Sequence, residues 1–69
     1  MKTFGDNLKN IRNELGLTQK QFGDKIGFDS RTICNWEKSR NTPSIYIVKR
    51  ICKIFNIDLY DLFDFDEKE

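Results

Sequence analysis

The sequence predicts an all-α fold of five short helices. Apolar residues recur at helical spacing in every segment long enough to show a period. Capping residues and glycines punctuate the chain at the intervals that short helices need. No stretch alternates apolar and polar side chains between hairpin turns, and nothing repeats internally.

Phe4, Leu8, Ile11 and Leu15 fall at i, i+4, i+7 and i+11, one stripe of a first helix, with Gly16 as its stop. Thr18 with Gln21 three residues on makes a capping-box pattern and starts a second helix. Phe22 and Ile26 mark its buried side, and Gly27 ends it. Asp29 is an N-cap for a third helix, flanked by Phe28 and Ile33 at the two positions of a hydrophobic staple. Residues 38–44, KSRNTPS, form a polar loop with Pro43, and Ser44 caps a fourth helix striped with Ile45, Val48, Ile51, Cys52 and Phe55. Asp58 caps a last helix carrying Leu59, Leu62 and Phe63. The expected organisation is one domain over 1–64 and a short acidic tail over 65–69, with Phe65–Glu69 fraying.

The chain has 69 residues, no His and two Cys. A domain of this size buries only about 60% of its unfolded surface, leaving little room for an enclosed substrate pocket. Without His it lacks the commonest general base near neutral pH and the commonest metal ligand, and two Cys cannot complete a zinc site. We therefore expect no enzyme, catalytic residue, metal, cofactor or small-molecule substrate. No apolar run approaches the roughly 20 residues of a membrane span, and the N-terminus has no signal-peptide core. A cytoplasmic location with Cys34 and Cys52 reduced follows as the expectation.

A formal net charge of +1 conceals an asymmetry. Residues 1–57 carry eleven basic and five acidic side chains, whereas residues 58–69 carry one basic and six acidic ones. A basic body with an acidic end is compatible with a polyanionic partner on one side only, or with a solvated surface and a solubilising tail.

Residues Gln19–Trp36 make more of a signal together than apart. Two helices joined by a turn of about three residues cross steeply, and the crossing needs a small residue at closest approach and a positive-φ residue in the turn. Gly23 and Gly27 meet those needs, while Phe22, Ile26, Phe28, Ile33 and Trp36 point inward. On the outward side of the second arm, Arg31, Cys34, Asn35 and Lys38 fall at i, i+3, i+4 and i+7. Arg and Asn on such a face are the side chains that read guanine and adenine edges in the major groove. Ser30, at the helix start, can reach a base edge or a phosphate.

These residues resemble the Cro/C1-type (Xre-like) helix-turn-helix repressors of bacteria and phages. The matching elements are Leu17-Thr18-Gln19, Ile26-Gly27, Thr32-Ile33, Trp36-Glu37 and Asn41-Thr42-Pro43-Ser44, and the similarity runs from about Leu8 to Phe63. The resemblance implies a compact five-helix, lambda-repressor-like DNA-binding domain with its helix-turn-helix at about 18–37. It implies sequence-specific binding of double-stranded DNA by a transcription regulator of repressor type, with Ser30, Arg31 and Asn35 reading bases from the third helix, about 30–37. Gln19, at a helix N-terminus that favours anions, would meet phosphate. Lys20, Lys38, Arg40 and Asn41 lie on the same edge by the family geometry, and Thr32 can add a hydroxyl contact. In similar domains Arg12 and Glu37 form a partly buried ion pair tying the first helix to the third.

Two positions depart from the family pattern. Gly23 stands where Ala is usual and should loosen the second helix by up to about 1 kcal/mol. Ser39 stands where Gly is common, which weakens the expected turn after the third helix. Cys34 on the outward stripe admits a redox switch or simply a small neutral side chain against DNA, whereas Cys52 reads as core.

Tyr46, Ile47, Ile54, Tyr60, Phe63 and Phe65 exceed what so small a core can hide, which suggests a partner surface. The resemblance implies a homodimer through the C-terminal helices on a palindromic operator, its recognition helices about 34 Å apart. The alternatives are an antitoxin-type regulator that also binds a toxin, and a protein-interaction module that has lost DNA binding. Against the last stands the polar, basic stripe of the third helix.

Overall fold

A computed structural model describes residues 3–63. They form five helices: α1 (Phe4–Glu14), α2 (Gln19–Ile26), α3 (Ser30–Glu37), α4 (Ile45–Phe55) and α5 (Leu59–Leu62). No strand occurs among the described residues. The expected acidic tail and the fraying of Phe65–Glu69 lie outside them.

Each helix begins on a side-chain cap. Thr18 Oγ1 accepts the N–H of Gln21 while Gln21 Oε1 accepts the N–H of Thr18, the reciprocal arrangement that satisfies two otherwise orphaned donors. Asp29 and Ser44 accept from Thr32 N and Ile47 N at the starts of α3 and α4. Two further capping boxes, Thr3 with Asp6 and Asp58 with Asp61, complete the set.

The helix ends follow one device repeated. Gly16 and Gly27 adopt positive φ, and so do Ser39 (φ 60°) and Asn56 (φ 55°). After α3, the Ser39 N–H donates to the Trp36 carbonyl and the Arg40 N–H to the Asn35 carbonyl, a complete Schellman turn built on a serine. The turn that residue 39 was expected to weaken therefore closes fully.

Leu8, Phe22, Ile33, Val48, Ile51 and Leu62 are fully buried, with Ile11, Ile26 and Trp36 beside them. α1 packs on α3 and α5, α2 packs on α3 and α4, and α4 meets α5. Phe22 stacks on Phe55 at a centroid distance of 4.7 Å, joining α2 to α4, and Phe28 meets Trp36 edge-on at 5.2 Å. Asn7, buried on α1, donates from Nδ2 to the Leu62 carbonyl and fixes α5 in place.

The apolar stripes are narrower than their spacing suggested. Leu15 and Ile45 are exposed, because Leu15 is the C-cap of α1 and Ile45 opens the first turn of α4. Cys52 is half-buried, packed against the core rather than within it. Its burial, with Asp58 and Asp61 nearby, pushes the thiol above its ordinary range and disfavours the thiolate.

Gly23 also differs from the expectation of a loosened helix. A Cβ there would meet the Phe28 carbonyl oxygen and press on Ile33, so the missing side chain is what lets α2 sit against the turn. The Gly23 carbonyl in turn accepts both the Gly27 and Phe28 N–H groups.

Candidate nucleic-acid interface

The three-residue turn Gly27-Phe28-Asp29 carries the chain from α2 to α3. α3 then has two unlike sides. Ile33, Trp36 and Glu37 are buried, while Ser30, Arg31 and Lys38 are exposed and Thr32, Cys34 and Asn35 are half-buried. Arg31, Asn35 and Lys38 thus share the outer surface with Cys34, and Ser30 stands at the helix start.

Asp29 sets the start of this surface. The side chain and N–H of Thr32 hold its carboxyl below the ordinary aspartate range, with a smaller contribution from the Arg31 guanidinium. Thr32 is thus engaged with the cap.

Glu37 organises the far end. Its carboxylate accepts from Arg12 Nε at 2.6 Å and Arg12 Nη2 at 3.2 Å, a bidentate pair with side-chain exposures of 11% for Arg12 and 3% for Glu37. Arg12 Nη1 also donates to the Leu17 carbonyl. Gln19 Nε2 donates to Glu37 Oε1 at 3.0 Å. One carboxylate at the end of α3 thus ties α1 and the first turn of α2 together, and Arg12 extends the cluster to the loop between them.

Gln19 is expected to meet phosphate from the start of α2. In the structure its amide faces inward, and what α2 offers outward at that end is backbone. Its capping box leaves the N–H groups of Gln19 and Lys20 with no acceptor inside the helix, and these favour an anion. Lys20 Nζ pairs with Asp24 at 3.2 Å, but both side chains are well exposed, so the pair is weak and readily exchanged. Lys38, Arg40 and Asn41 are exposed around the turn that follows α3.

Further contacts escaped the sequence. Gly5 on α1 lies against the carbonyls of Trp36 and Glu37, where any Cβ would collide, so α1 abuts the end of α3 directly. Ser39 Oγ donates to Thr3 Oγ1 across that junction. Arg40 Nη1 donates to Asn35 Oδ1 at 3.3 Å, linking a residue beyond α3 to the outer surface of α3 itself. A glycine inside an otherwise helical pattern was a readable sign of close approach at Gly5; the contacts of Gln19 and Arg40 had none.

This geometry defines a helix-turn-helix domain: a short helix buttressing a second one whose outer face is polar and cationic. The comparisons agree. A helix-turn-helix family profile matches residues 8–62, and the chain belongs to that family, one of DNA-binding transcription regulators. It is similar to an uncharacterised HTH-type transcriptional regulator of Archaeoglobus fulgidus, with 34% identity over 62 residues, covering 90% of this chain and 89% of the relative. The fold matches the crystal structure of the P22 c2 repressor in complex with a synthetic operator, with a TM-score of 0.83 and 21% identity over 96% of this chain and 100% of that one. It also matches the restriction-modification controller protein C.AhdI from Aeromonas hydrophila, with a TM-score of 0.79 and 23% identity over 87% of each chain.

No helix among the described residues is long and apolar enough to cross a membrane.

Proposed function

We propose that α3 enters the major groove of an operator, with Ser30, Arg31 and Asn35 against base edges. Gln19 and Lys20 at the start of α2, and Lys38, Arg40 and Asn41 after α3, hold the phosphates on either side. Thr32, bound to the Asp29 cap, contributes through that cap or by exchanging its hydroxyl to phosphate. The observation that carries this reading is the division of α3, buried on Ile33, Trp36 and Glu37 and open on Ser30, Arg31 and Lys38. Phosphate contacts set the register, and the α3 side chains specify sequence.

Two copies bind an inverted repeat in this reading. The outer face of α4 presents Tyr46, Ile54 and the cations Lys49, Arg50 and Lys53, and α5 presents Tyr60 with Asp58 and Asp61. A two-fold axis that sets α4 of one copy against α5 of the other places unlike charges together around the aromatics. Ile47 and Phe63 pack against the core, so the apolar part of this surface rests on Tyr46, Ile54 and Tyr60 among the described residues. The protein acts in the cytoplasm by binding, without catalysis. That reading is supported by the lack of any histidine and by a cleft between α1 and α5 whose titratable groups are only Glu14 and Asp61.

Selection from a randomised duplex library tests the proposal. An enriched inverted repeat is expected, with log affinity falling against log salt by about 0.9 per phosphate neutralised. Weak binding without enrichment would overturn it in favour of a protein-interaction module.

A further inference from the structure

Arg40 is held to Asn35 twice. Its backbone N–H donates to the Asn35 carbonyl at 2.9 Å, as the Schellman turn requires, and its Nη1 donates to the Asn35 side chain at 3.3 Å. The second bond fixes more than a distance. A guanidinium has donors and no acceptor, so the carboxamide atom facing it must be the oxygen, and the NH2 group must face away. Asn35 is half-buried, which limits its other rotamers, and Arg40 is exposed with the rest of its fork unpaired.

We propose that Arg40 is a specificity-positioning residue: it locks the Asn35 carboxamide so that this side chain meets DNA as a donor. The inference rests on the reading that α3 faces the major groove. In that groove adenine and guanine offer the N7 acceptor, guanine also O6 and thymine O4, while adenine carries its N6 donor beside N7. Cytosine offers only its N4 donor. An Asn35 pinned through Oδ1 is therefore matched to purines and thymine and set against cytosine. The remaining Arg40 donors stay available to a phosphate, so one side chain serves both the backbone contact and the readout. A free asparagine would have no such bias, because rotating its amide by half a turn exchanges donor for acceptor.

The test is library selection and competition binding with the full chain carrying Arg40→Ala, Asn35→Ala, both together, and Lys38→Ala. Asn35→Ala should flatten preference at one position in each half-site and so identify the base it faces. Arg40→Ala should admit cytosine at that same position, raising its relative affinity about fivefold or more. That gain should vanish when Asn35→Ala is also present. Lys38→Ala, the neighbouring exposed cation, should weaken binding to all sequences alike. If Arg40→Ala lowers affinity by one common factor and leaves the base profile unchanged, Arg40 is a phosphate contact only and the inference fails. If Asn35→Ala alters no position while the wild-type chain still selects a site, the assignment of Asn35 to a base fails first, and this inference with it. Circular dichroism of each variant confirms that the exposed substitutions leave the helices intact.

Discussion

Glycine at residue 23 and serine at residue 39 invert what their types alone suggest. By helix propensity Gly23→Ala should stabilise α2 by about 1 kcal/mol. The structure opposes this, because the new methyl would meet the Phe28 carbonyl, a backbone atom with no rotamer to escape into. We expect Gly23→Ala to lower stability by about 1–3 kcal/mol, read from urea unfolding. Ser39 shows the reverse. It holds φ at 60°, a conformation that costs a side chain roughly 1–2 kcal/mol, and its turn already makes both Schellman bonds. Ser39→Gly should relieve that strain, partly offset by the freer unfolded chain, and raise the melting temperature by about 4 °C. The sequence marked both positions as unusual. It could not assign the sign at residue 23, because that depends on a carbonyl five residues away brought back by the turn.

At the scale of elements, what was legible is what is local. Caps, stops and stripes depend on neighbours within four residues, and they delimited α2, α3 and α4 from composition and spacing. Which end of a stripe is covered depends on partners far along the chain, so Leu15 and Ile45 fitted the period yet lie exposed. The Glu37 cluster belongs to the second kind, since Arg12, Gln19 and Glu37 meet only when three helices do; family resemblance supplied the Arg12–Glu37 pair, and nothing local supplied the Gln19 contact. Its energetics should be asymmetric. Arg12→Ala strands a carboxylate whose side chain is 3% exposed, and should cost about 3–5 kcal/mol in urea unfolding. Replacing both partners, Arg12→Met with Glu37→Met, removes the charge along with its need for a partner and should recover most of that loss. A double variant no more stable than Arg12→Ala would show that the pair, rather than avoidance of an unpaired charge, holds α1 to α3.

For the molecule as a whole, the charge asymmetry acquires a place. The acidic residues that are described after α4, Asp58 and Asp61, sit at α5, whereas Lys38, Arg40 and Asn41 flank the outer end of α3. A polyanion approaching from the α3 side meets the cations first. In the proposed dimer the α4–α5 surface serves assembly, and Tyr46 there is 80% exposed, so it contributes nothing to the core of a single copy. Its substitution therefore isolates association from folding. Light scattering at micromolar concentration should give twice the chain mass for the wild type and the chain mass for Tyr46→Glu, with identical circular dichroism. Because two half-sites bound by a preformed dimer cost one association rather than two, the variant should lose affinity for the inverted repeat yet bind an isolated half-site as the wild type does. A Tyr46→Glu protein that remains dimeric would move the two-fold axis away from α4. A wild type that scatters as one chain would remove the axis altogether and require each recognition helix to find its half-site alone.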